Sequence, residues 1–129
     1  MKNPLLLAGC CMLMISFSSC AQKSANLDGK SFTIEVFDVN VPDQKDDDVI
    51  HFDGGKITSD GCDEWGFNSS EYSAEKEKDK THFEATCSSD TEGKIIWKGT
   101  VDGNKIEGTY LWQKDGQGDI TYSFSGEEN

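Results

Sequence analysis

From Lys30 onward the apolar residues of this chain recur at every second position, and no stretch sustains a 3.6-residue period. "SFTIEVFDVNV" is rich in β-branched and aromatic residues, as strands are, with Phe32, Ile34 and Val36 on one face. "DVIHFDGGKITS" sets Asp53-Gly54-Gly55 between two short apolar runs, a hairpin signal. "SSEYSAEKEKDKTHFEATCSS" reads as two strands around a charged turn near Glu77 to Asp79. In the second of these, Phe83, Ala85 and Cys87 face one way and His82, Glu84 and Thr86 the other. "DITYSFSG" closes the chain with Ile120, Tyr122 and Phe124 on one side. A helix over "EYSAEKEKDK" would have only Tyr72 and Ala74 to bury.

The clearest hairpin is "KIIWKGTVDGNKIEGTYLWQK". Asp102-Gly103 and Gly103-Asn104 both suit a primed two-residue turn. Under either choice Ile95, Trp97, Gly99 and Val101 share a face with Ile106, Gly108, Tyr110 and Trp112, while Ile96 and Leu111 are apolar exceptions on the polar side. The Asp102-Gly103 turn is preferred, because it sets Trp97 opposite Gly108 and Lys98 opposite Glu107.

The pattern predicts an all-β fold of about eight strands joined by short turns. Neither Pro4 nor Pro42 interrupts a strand. Successive hairpins with one apolar face suit a small antiparallel up-and-down β-barrel, which closes its own edges. A two-sheet β-sandwich is the alternative, since alternation alone does not separate the two. The polar face carries too many charges, and the strands are too short, for a barrel that crosses a membrane.

The first twenty residues are of a different kind. After Lys2 comes an almost wholly apolar, uncharged run from Leu5 to Phe17. It falls short of the ~20 residues of a membrane span and matches the apolar part of a secretory signal. Ser18-Ser19-Cys20 then places small residues before a cysteine. This resembles the lipobox of bacterial lipoproteins, in which that cysteine is acylated and becomes the mature N-terminus. Leu7-Ala8-Gly9-Cys10 fits the lipobox pattern more closely, but cleavage there would leave an apolar stretch below the roughly 7–15 residues a signal uses. Cys20 is therefore the expected lipid attachment site, with an ordinary secretory cut near Ala21 as the alternative. The expected organisation is a signal peptide over 1–19, a lipidated tether over 20–29 and one barrel domain over 30–129. By the same resemblance Ala21, which is not the Asp of inner-membrane retention, implies a cell-envelope protein anchored at the outer membrane.

A second resemblance covers the domain. Phe52-x-x-Gly55-Lys56, Ser59-x-x-Cys62, Gly66-Phe67, Tyr72 and Phe83-x-Ala85 come first. Trp97-x-Gly99-x-Val101-x-Gly103-x-x-Ile106-x-Gly108 and Trp112 follow. From Phe52 to Gly126 this looks like a family of small bacterial secreted proteins and lipoproteins of lipocalin-like kind. The family is an uncharacterised one, so the resemblance implies a compact β domain and no activity.

Charge narrows the partners. The chain has 12 Lys+Arg against 24 Asp+Glu, a formal net of −12, and losing Lys2 with residues 1–19 takes it to −13. Such a surface repels phosphates, so neither nucleic acid nor anionic lipid headgroups are expected to bind it. The membrane partner is reached through the N-terminal lipid, whose two or three acyl chains hold at about 0.8 kcal/mol per buried CH2. Cys62 and Cys87 remain after cleavage. An oxidising compartment permits a bridge between them, worth about 3 kcal/mol in the chain-entropy picture; two buried thiols are the alternative.

Candidate chemistry is sparse. His51 near Asp53 and His82 near Glu84 have acid–base types but sit in alternating strands, as exposed polar residues do. "DQKDDD", residues 43–48, has oxygen ligands but lacks the Gly and Glu of an EF-hand, and reads as a solvated loop. No nucleophile elbow, phosphate loop or dinucleotide fingerprint occurs, so neither an enzyme nor a cofactor is expected. "SDGCDEWGFNSSEY", residues 59–72, breaks the alternation and carries Trp65 and Phe67, which would cap the barrel or contact a ligand. With Trp97, Tyr110 and Trp112 they are the candidate ligand-lining residues. The expected function is a lipid-anchored binding module for a small apolar ligand or another envelope protein. The alternative is a structural lipoprotein with a filled core.

Overall fold

The computed structural model describes residues 23–129; the expected signal segment, Cys10 and Cys20 lie outside the described residues. Nine strands follow one another: β1 (Lys23–Ser24), β2 (Ser31–Asp38), β3 (Lys45–Asp53), β4 (Lys56–Ser59), β5 (Ser70–Glu77), β6 (Lys80–Ser89), β7 (Gly93–Asp102), β8 (Lys105–Gln113) and β9 (Ile120–Glu128). A single helical turn, α1 (Asp60–Asp63), lies between β4 and β5. From β2 to β9 each strand pairs antiparallel with the next, and β9 returns to pair with β2. The result is a closed eight-stranded up-and-down barrel and not a sandwich. β4 reaches only Ser70 and Glu71 of β5, and β1 takes the edge beyond, at Glu75 and Lys76. Among the described residues no helix is long and apolar enough to cross a membrane.

The alternation read from the sequence decides which side chains enter the lumen. Phe32, Ile34, Phe52, Phe83, Trp97, Ile106 and Phe124 are almost wholly buried, each contributing about 1.5–3 kcal/mol by leaving water. Phe52 is the hub of the lower core, with edge contacts to Phe32, Tyr72 and Phe83 at centroid distances of 6.1, 5.0 and 5.1 Å. The two outward apolar residues Ile96 and Leu111 face each other across the β7–β8 hairpin.

That hairpin turns at Gly103-Asn104, not at the preferred Asp102-Gly103. Trp97 therefore faces Tyr110, and Gly99 faces Gly108. The reason lies in the neighbouring strands. Phe83 pairs with Gly99 and Phe124 with Gly108, so two rings lie over two missing side chains. A Cβ on Gly99 would stand 2.5 Å from Phe83 Cζ, and one on Gly108 2.8 Å from Phe124 Cζ. The glycines make room for phenylalanines that the hairpin's own sequence does not contain.

The barrel domain starts earlier than Lys30. Residues 23–29, read as part of a tether, supply β1 and the buried plug residue Leu27. The Leu27 amide donates to the Tyr72 hydroxyl at 2.9 Å, and that hydroxyl donates to Asp28 Oδ1 at 2.7 Å. Asp28 also accepts from the Gly55 amide at 3.0 Å. Tyr72 is consequently pushed up to about 12 by burial first and by Asp28 next.

The two ends differ. At the end holding Leu27, adjacent strands are joined by two-residue turns, Gly54-Gly55, Lys78-Asp79 and Gly103-Asn104. Gly54 and Gly55 have φ of 58° and 76°, the left-handed pair a type I′ hairpin needs. At the other end the links over 39–44, 60–69, 90–92 and 114–119 are longer. This end is the mouth.

Candidate functional site at the barrel mouth

A cavity of about 490 Å³ opens at the mouth, within the usual range of small-molecule sites. A larger but shallower depression of about 760 Å³ crosses the outer wall between His82, Lys98 and Thr109; its floor is the sheet itself and no loop covers it.

The floor of the mouth cavity is a row of rings set by strand register. Trp97, Tyr110 and Tyr122 are consecutive cross-strand neighbours on β7, β8 and β9. Trp97 and Tyr110 have centroids 4.5 Å apart; Tyr110 stacks on Tyr122 at 4.8 Å with planes inclined by 22°. Trp97 is 1% exposed, so it supports the floor and does not line it. Tyr110 and Trp112 do line the cavity, together with Trp65 and Phe67 from the β4–β5 link. Four of the five candidate lining residues thus sit at one site, and Trp97, for which core packing was the alternative, lies in the core. Phe67 is buried and caps, whereas Trp65 is 62% exposed at the rim. Val39 and Val41, the other exposed large hydrophobics among the described residues, lie in the β2–β3 link at the same end.

Five carboxylates that also line the cavity, Asp38, Asp46, Asp47, Asp48 and Glu92, were not among the expected residues. Residues 45–48 begin β3 and are not a loop; Lys45, Asp46 and Asp47 are exposed as expected, Asp48 is half-buried, and the period of Ile50 and Phe52 carried backward places Asp48 and Asp46 on the lumen side of the strand. Both face apolar partners, Ile34 and Val36, across the β2–β3 pairing. Asp48 is fully engaged. It accepts from Ser59 Oγ and, at 2.8 Å, from the Gly61 amide, while Ser59 Oγ accepts from the Cys62 amide at 3.2 Å and caps α1. Asp48 thereby holds the link that presents Trp65 and Phe67. Asp38, opposite Tyr122, accepts from the Asn40 amide at 2.8 Å. The hydrogen bonds and ion pairs at this end engage Asp38, Asp48 and Glu92 but, among the described residues, neither Asp46 nor Asp47, whose cross-strand partner is Glu35. Burial pushes the Tyr110 phenol upward, with Cys62, Tyr122, Asp48 and Asp46 adding to it. Tyr122 is raised by burial, then by Asp38, Asp46 and Cys62.

The expected Cys62–Cys87 bridge is absent, and both are free thiols. Cys62 is carried by α1 and held over β3 and β4 through Ser59 and Asp48, whereas Cys87 points inward from β6 opposite Ile95. Burial pushes Cys62 up to about 11 and also raises Cys87, so both stay protonated and unreactive near neutrality. The two histidines lie outside the cavity and bond to residues other than the expected Asp53 and Glu84: His51 Nε2 to Asp60 at 3.0 Å, and His82 Nε2 to Glu77 at 3.1 Å. Among the described residues no three His, Cys, Asp or Glu side chains converge as a metal site.

The chain matches no protein-family model, no curated protein and no solved structure, and the mouth's geometry is therefore the basis for a functional reading.

Proposed function

We propose that this chain is a cell-envelope binding module, held to its membrane, the outer one, by lipid on Cys20 and receiving a small ligand through the barrel mouth. The observation that carries the reading is the aromatic-lined cavity of about 490 Å³ above an otherwise filled core. The cavity is open to solvent and leaves Tyr110, Tyr122 and Trp112 within reach of a small molecule, the concave and largely apolar lining that such sites have. The rim supports the same reading, because Val39, Val41 and Trp65 expose apolar surface beside the opening.

Lipid on Cys20 would also orient the barrel. Lys23 pairs with Lys76 near the closed end, and Cys20 lies three residues earlier. Three residues span at most about 11 Å, so the closed end would face the bilayer and the mouth would look away from it. The ligand would then arrive from the aqueous side and not by lateral extraction from the anchoring leaflet.

Native mass spectrometry of the full-length protein purified from its own membrane tests this. A diacyl or triacyl mass on Cys20 and a co-purifying small molecule are expected. An unmodified Cys20 on an uncleaved chain would overturn the anchoring, and a barrel with no bound mass and no affinity for any small molecule would overturn the binding role.

A further inference from the structure

Resting on that reading, we infer that the ligand is an organic cation: an ammonium group carried on an apolar body. The cavity has aromatic faces at Tyr110, Tyr122, Trp112 and Trp65, which suit the apolar part. Its wall also carries Asp46, which no described residue pairs, next to Asp38. Asp46 is exposed, so a neutral ligand seated beside it would leave its charge to water and gain nothing from it. A fatty acid or phosphate ester would meet like charge. A cation meets both the carboxylate and the negative ring faces, which attract ammonium groups within about 6 Å.

The rest of the mouth agrees. Among the described residues no lysine lines the cavity; Lys114 is tied to Glu92 at 2.7 Å, and Lys45 to Glu35 at 3.0 Å beside the outward Phe37 ring. Residues 38–48, 60–64, 90–94 and 114–119 hold twelve carboxylates against three lysines. At the opposite end, residues 28–30, 53–56, 75–80, 102–105 and 127–128 hold eight against six. The negative field is concentrated where the cavity opens, and such focusing raises the local concentration of cations and their association rate. A bare metal ion is disfavoured, because no described set of ligating side chains converges on one point.

The experiment titrates the full chain, in a neutral detergent-free buffer, with octyltrimethylammonium, octyl sulfate and octyl glucoside. These share one tail and differ in head charge, and tryptophan fluorescence reads Trp65 and Trp112 at the mouth. The cation is expected to bind at least tenfold more tightly than the other two, and to weaken as salt is raised. Asp46→Asn is expected to weaken it roughly fivefold; Asp46 is exposed and unpaired, so an unchanged thermal midpoint should accompany the loss. Equal binding of all three probes, or tighter binding of the neutral or anionic one, would overturn the cationic class while leaving the binding module standing. If none binds but a small molecule co-purifies with the native protein, the cationic class again falls alone. If none binds and nothing co-purifies, both fall.

Discussion

The closed end and the mouth are built from the same eight strands but solve opposite problems. At the closed end the turns are two residues long, Leu27 plugs the lumen, and Tyr72 and Asp28 satisfy one another and the Leu27 and Gly55 amides. At the mouth the links are longer, exposed valines and a tryptophan stand at the rim, and Asp46 is exposed on the cavity wall, paired by no described residue. Among the described residues no buried side-chain polar atom lacks a partner at either end, so the ends differ in what they expose: apolar side chains and carboxylates at the mouth, short turns at the closed end. The closed end is tightly tied together, and under the proposed reading recognition falls to the mouth.

Substitutions can test that division. Phe52→Ala should have the largest effect, removing the ring that touches Phe32, Tyr72 and Phe83 and costing about 3–5 kcal/mol in denaturant unfolding. Leu27→Ala should cost about 2–3 kcal/mol while the affinity of the mouth for a cationic probe stays unchanged. Loss of binding in that variant would show that the ends are not independent.

Alkaline pH gives a smaller, graded effect. Cys62 rises from 9.0 to about 11 and Tyr72 from 10.0 to about 12 on folding. Above pH 9.0 the unfolded chain therefore releases protons that the folded chain keeps. Their contribution is fully present below that pH and declines as pH rises toward about 12, so the urea midpoint should fall across that window. A flat midpoint would contradict the burial of both groups. The smallest change in stability is expected for Trp65→Ala, within about 0.5 kcal/mol, because the side chain is mostly in water. That same variant should lose most of the affinity for a cationic probe, the reverse of Leu27→Ala.

Much of the barrel was legible along the chain. Period-two runs at Phe32–Val36, Phe83–Cys87 and Ile120–Phe124 marked both the strands and their inward faces, and Gly54-Gly55 marked a turn. The mouth was half legible. Trp65, Phe67, Tyr110 and Trp112 stood out as aromatics; the acidic run is exposed at Asp46 and Asp47 as it suggests, but nothing in it marked that Asp46 and Asp48 keep the period of Ile50 and Phe52. Acidic residues suggest water, and only the closing of the barrel shows that they point inward near its open end. The plug at Leu27 was hidden for another reason: a single leucine in a polar segment has no periodicity to reveal it.

Alternation is a local property, since each side chain's face follows from the peptide geometry of its own strand; the chain alone therefore dictated an all-β ribbon with one oily side. Register, closure and the company each side chain keeps depend on residues far apart. Gly99 faces Gly108 because Phe83 and Phe124, on other strands, need that space, and Cys62 stays apart from Cys87 because Asp48 and Ser59 hold its loop elsewhere. Those choices are made by volume and hydrogen bonding in three dimensions, and the acidic, aromatic mouth is one of their products.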